Sequence, residues 1–172
     1  AITGATSSSM LDGLWSDPNS CGSESPLMCE INLTRPSVGF VLFGTQDMRV
    51  IPPHEFRIHM SQIVEAMIFN GVIPVISTFH NTQSYYGDEA LVYNNIIVDI
   101  SDQYEVPLIN LWKATQPLPN NGVNVNDPVH LSQGADNYYN FNGEETQYGV
   151  NVRNLLSLQA LDELRNNILL QR

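Results

Sequence analysis

The sequence is poor in positive charge. Seven Lys and Arg stand against 18 Asp and Glu in 172 residues, a formal net charge of −11. A field of that sign repels phosphate backbones and anionic headgroups, which argues against nucleic acid and membrane surfaces as partners. Long apolar runs are missing too, since none approaches the roughly 20 residues that cross a bilayer. No basic segment followed by an apolar stretch opens the chain, so a signal peptide is expected to be absent or already removed, and Ala1 is not expected to be the natural start.

Cysteine is scarce, with two in all. Cys21 and Cys29 lie in a stretch rich in Pro, Gly and Ser that runs from Asp17 to Cys29. A segment of that length can close on itself as a small disulfide ring. Two free thiols in a cytosolic protein are the alternative, and a zinc site lacks further ligands nearby. Low Lys content, many Asn and the local pair favour the ring and a secreted, extracellular setting.

What is present is ordinary for a folded protein. Hydrophobic residues make up 42% of the chain, enough to exclude wholesale disorder, and the length suits one domain over 1–172. Thr6 to Trp15 reads as a short helix, followed by the cysteine loop. Ser37–Gly44 is an apolar run ending in glycine, the pattern of a strand buried on both faces. Pro52-Pro53 opens a helix to about Asn70, with Phe56, Met60, Ile63, Val64 and Met67 at helical spacing. Val72–Ser77 is the next strand, Asp88 to Tyr104 a helix, and Val106–Leu111 a third strand. Residues 115–146 read mainly as loop. Val150 to Leu170 is an amphipathic helix with Val152, Leu155, Leu158, Leu161, Leu164 and Ile168 in one stripe. Alternating apolar strands and helices imply right-handed crossovers and a parallel sheet. Functional residues are then expected at the carboxyl ends of the strands, at Gly44–Asp47, Thr78–Gln83 and the loop after Leu111.

The last of these regions contains Asp127-Pro128-Val129-His130. An Asp three residues before a His can fold its carboxylate onto one imidazole nitrogen, fixing the tautomer and leaving the other nitrogen as a general base. Alone the spacing is weak evidence, and two further elements supply context. Gly44-Thr45-Gln46-Asp47 directly follows an apolar strand. Upstream, Gly4 to Leu11 joins a glycine turn to a helix start, where backbone N–H groups favour an anion.

In this order and spacing the three elements resemble the SGNH or GDSL-type hydrolase family. Gly4 matches the glycine block, Gly44–Asp47 the Gly-x-Asn-Asp block, and Asp127–His130 the Asp-x-x-His block. The strand Val72–Ser77, the phrase Pro107–Trp112 and His130-Leu131-Ser132 also look like the family, and the segment from Gln147 to Asp162 and the Cys21–Cys29 loop suggest a secreted bacterial branch. The resemblance implies a three-layer α/β/α sandwich with a flavodoxin-like parallel sheet. It implies hydrolysis of carboxylic esters, with an acyl or acetyl group on a carbohydrate as one substrate class. His130 would be the base, Asp127 its orienting partner, and the Gly4 N–H and Gln46 amide the oxyanion donors, with no metal or cofactor.

The sequence departs from that family in two places. Its Gly-Asp-Ser block, which carries the nucleophilic serine, should lie some tens of residues before Gly4 and is not among these residues. Ser7, Ser8 and Ser9 fit helix-cap and first-turn positions better than a nucleophile's. Gln46 also stands where the family has Asn, which keeps an amide donor but adds a methylene. The chain alone is therefore expected to be inactive and its domain N-terminally incomplete. Ser37–Gly44 should be left as an unpaired edge, to be covered by an upstream segment of the same protein or a second copy. A non-catalytic binding or assembly protein is the alternative. Asp47 reads as a structural carboxylate. His54 and His59 fall on different helix faces, which makes metal binding improbable, and His80, which follows a strand, reads as filler rather than as a residue lining the cleft. Tyr138, Tyr139, Phe141 and Tyr148 suit sugar stacking or loop packing equally.

Overall fold

The computed structural model describes residues 4–80, 87–134 and 138–168. They gather into two compact units, one formed by Ala1–Ser77 with Leu91–Leu108 and the other by Thr78–Ala90 with Ile109–Arg172. Part of the Thr78–Gln83 loop and the expected helix end at Leu170 lie outside the described residues.

The first unit opens with two 3-10 turns, Ser8–Met10 and Gly13–Trp15, in place of one helix over Thr6–Trp15. The break has a local cause. Asp12 is extended and its carboxylate accepts from Leu14 N at 2.9 Å, which starts a new turn. The cysteine stretch is more ordered than a loop. It holds helix α1 (Pro18–Cys21) and helix α2 (Pro26–Thr34), each with Pro in its first turn and a capping side chain before it, Asp17 and Ser25. Cys21 and Cys29 are joined in a disulfide with their Cα atoms 5.3 Å apart.

Strand β1 (Val38–Val41) pairs in parallel with β2 (Ile73–Ser77), Val38 opposite Ile73 through Val41 opposite Ile76, and β3 (Leu108–Ile109) completes the order β1-β2-β3. Parallel neighbours need crossovers. These are helix α3 (Pro53–Phe69) and helix α4 (Glu89–Tyr104). All five residues of the expected α3 stripe are buried, and Val75 and Ile76 are fully buried on β2. From α4, Tyr93 closes on Phe56 with ring centroids 5.0 Å apart, and its hydroxyl donates to the Ile51 carbonyl. The outer strands are shorter than expected. Gly44 turns the chain at φ 131°, and Asn110 leaves extended geometry to cap the next helix. Among the described residues β1 has a strand partner on one side only. Phe40 and Leu42 are half-exposed there, beside an apolar cleft of about 340 Å³ lined by Met10, Leu27, Phe40, Leu42 and Met67 among others.

The second unit contains helix α5 (Leu111–Thr115), a hairpin of β4 (Val123–Asn124) and β5 (Asp127–Leu131), and helix α6 (Gly149–Asn167). The region expected as loop thus carries a small antiparallel sheet. Its end is tied to α6 by Ser132, whose hydroxyl accepts from Gly149 N at 3.0 Å and whose carbonyl accepts from Val150 N at 3.0 Å. A Cβ on Gly149 would lie 2.2 Å from the Gly122 carbonyl oxygen, so only glycine allows this approach. The α6 stripe is helical as expected, yet Leu158 and Leu161 stay exposed and Leu164 is its only buried apolar member among the described residues.

Candidate active site

The expected site residues fall in both units. In the first, Gly4 has φ +81°, a backbone that disfavours a side chain, and it precedes the Ser8–Met10 turn. Gln46 is half-buried at the start of the 3-10 turn Asp47–Arg49. Asp47 ties together the loops that carry these two residues. The carboxylate is fully buried. Its Oδ1 accepts from Ser7 N at 2.8 Å and from Ser7 Oγ at 2.5 Å, and its Oδ2 accepts from Gly44 N at 3.0 Å. Burying a carboxylate is costly unless donors replace the water it loses, and three do so here.

The same network occupies the serines. Ser7 is fully buried with its hydroxyl committed to Asp47. The Ser8 and Ser9 hydroxyls lie 2.8 Å and 2.9 Å from the Thr6 hydroxyl, and Ser9 Oγ also accepts from Thr6 N at 3.1 Å.

In the second unit, His130 Nδ1 and Asp127 Oδ2 are 2.6 Å apart, with the two side chains 72% and 49% exposed. Residues three apart on a regular strand point to opposite faces, so such a contact needs an irregular backbone. The register supplies it. Val123 faces Leu131 while Asn124 faces Asp127, leaving Pro128, Val129 and His130 as a bulge between two ladder positions. Pro128 cannot donate to the ladder in any case. The bulge brings the carboxylate and ring together. Asp127 holds Nδ1, so Nε2 is the nitrogen that can take a proton.

One participant is poorly visible in the sequence. His80 is buried at 6% exposure, and its Nε2 donates to the Val129 carbonyl at 2.9 Å. Burial, together with the charges of His130 and Arg153, pushes its pKa down to about 4 against the opposing effect of the Val129 bond. A histidine just after an apolar strand was the only signal.

Tyr148 lines a surface pocket of about 360 Å³ with Asn120, Asn124, Ser132, Gln133 and Gln147, while Tyr138 and Tyr139 are exposed. Among the described residues no group of three His, Cys, Asp or Glu could hold a metal ion.

No protein-family model and no curated protein matches this sequence. A solved structure is similar in fold, the psychrotrophic esterase EstA from Pseudoalteromonas sp., inhibited by monoethylphosphonate. The match has a TM-score of 0.54 and 11% identity over 96% of this chain and 74% of that one. The likeness is one of fold, a mixed α/β arrangement around a parallel sheet. A disulfide is compatible with an extracellular protein, and no helix among the described residues is long and apolar enough to cross a membrane.

Proposed function

We propose that the chain carries the acid–base arm of a secreted serine ester hydrolase of the SGNH type. The observation that carries this reading is the Asp127–His130 contact through Nδ1. The fold likeness to an esterase supports it. His130 Nε2 takes the proton from a hydroxyl as the oxygen attacks the acyl carbon. The Gly4 N–H and Gln46 amide hold the resulting oxyanion, and His130 returns the proton to the leaving alkoxide. Water then attacks the acyl-enzyme through the same base, releasing the acid and restoring the hydroxyl. Asp127 keeps the ring in the required tautomer and stabilises its charged form.

In this reading the nucleophilic serine arrives on an upstream segment of the parent protein that adds a strand outside β1. The one-sided pairing of β1, the half-exposed Phe40 and Leu42, and the apolar cleft beside them support that docking. The completed domain is a three-layer sandwich. The amide-rich pocket around Tyr148 suits a neutral, polyhydroxylated alcohol, which favours acyl groups on carbohydrate as substrate. A non-catalytic relative is the second reading, favoured by Gln46 in the Asn position and by the exposure of the dyad.

An assay of the chain alone with a short-acyl nitrophenyl ester tests the placement of the nucleophile. Background rates are expected. Hydrolysis that disappears in Ser7→Ala, Ser8→Ala or Ser9→Ala would place it in this chain. Hydrolysis lost only in His130→Ala would point to direct attack by water.

A further inference from the structure

The bulge that creates the Asp127–His130 contact leaves a backbone problem. Val129 lies between the two ladder positions and has no cross-strand partner in the register. A carbonyl removed from its ladder must find another donor if it is to stay ordered. That donor is a side chain 49 residues away in sequence, the His80 imidazole at 2.9 Å. A carbonyl only accepts, so the proton sits on His80 Nε2.

We infer that His80 is the positioning residue of the Asp127–His130 pair, pinning the Val129 carbonyl and with it the bulge that sets carboxylate against ring. Its support is rigid. The neighbouring Thr78 and Phe79 are 2% and 1% exposed. Thr78 N donates to the Ile109 carbonyl at 3.0 Å, and Thr78 Oγ1 accepts from Trp112 N at 3.0 Å. A buried imidazole on so fixed a base holds one carbonyl position and resists sliding of the strand. Its chemistry also suits the place. Burial above all, and then the charges of His130 and Arg153, disfavour its protonation. It therefore stays neutral, donating a hydrogen bond without adding a second positive charge beside the ring that is to accept a proton. A Lys or Arg could donate to Val129 equally well but would oppose the charged form of His130.

This role concerns the geometry of the dyad and does not depend on which reaction the dyad serves. Nitrogen NMR of the histidine rings in the 172-residue chain tests it with no activity required. In the wild type, His80 should be the Nε2–H tautomer with a slowly exchanging proton, and His130 should be held largely as Nδ1–H. His80→Leu should release His130 to a mixture in which Nδ1–H is the minor form, with amide signals of the first unit unmoved. His80→Gln, whose amide can reach the same carbonyl, should restore the wild-type tautomer. An unchanged His130 tautomer in folded His80→Leu would overturn the inference. If that variant does not fold, the wild-type protein still decides: His80 found as Nδ1–H, or exchanging like a surface ring, would also overturn it.

Discussion

The two units each place one Asp at a decisive point and use it in opposite ways. Asp47 is fully buried, accepts three hydrogen bonds and ties two loops together. Asp127 is half in solvent and makes a single 2.6 Å contact with one ring. A carboxylate saturated by buried donors is fixed in place and serves architecture. One with a single exposed partner is left to orient that partner. Stability and chemistry should therefore separate between the units.

The largest expected effect comes from Asp47. Asp47→Ala strands Ser7 N, Ser7 Oγ and Gly44 N without their acceptor, at a cost of about 4 kcal/mol in denaturant unfolding. Asp127→Ala, at an exposed pair, should cost less than about 1 kcal/mol. Equal losses from the two substitutions would erase the contrast.

Next in size is a pH effect confined to the second unit. The folded pKa of His80 is about 4 against an ordinary 6.5, so between these values the unfolded chain binds a proton that the folded chain does not. Stability contributed by neutral His80 is complete above about pH 6.5 and is lost as pH falls toward 4, by about 3 kcal/mol in all. The quantity to measure is the difference between wild type and His80→Gln across that window, and parallel curves would refute the assignment.

The disulfide gives a smaller effect in the first unit. Opening a ring of sequence separation 8 should lower stability by roughly 2–3 kcal/mol, read from melts with and without reductant. An intact mass that does not rise by two hydrogens on reduction would show that the thiols were never joined.

Legibility follows the same division. In the first unit, long-period signals carry through: Pro52-Pro53 starts α3, and the stripe from Phe56 to Met67 is its buried face. Short elements were harder, because Asp17-Pro18 and Ser25-Pro26 are start signals that the surrounding Gly and Ser obscure. In the second unit Asp127 and His130 stood out by spacing, yet the segment read as loop. Two ladder pairs and a proline leave almost no alternation to detect. The bulge and the role of His80 depend on contacts distant in sequence, which periodicity does not encode. The apolar stripe of α6 shows the converse: Leu158 and Leu161 repeat at helical spacing and remain exposed, because a period describes a face and says nothing of what covers it.

The central claim is that His130, oriented by Asp127, is the working base of an ester hydrolase whose serine lies outside these residues. The direct measurement is hydrolysis of a nitrophenyl ester after the chain is joined to the upstream segment of its parent protein. The account predicts that activity appears on joining and falls by about a thousandfold or more in His130→Ala, with Asp47→Asn affecting stability before rate. Joined protein that stays inactive, or activity indifferent to His130→Ala, would contradict it.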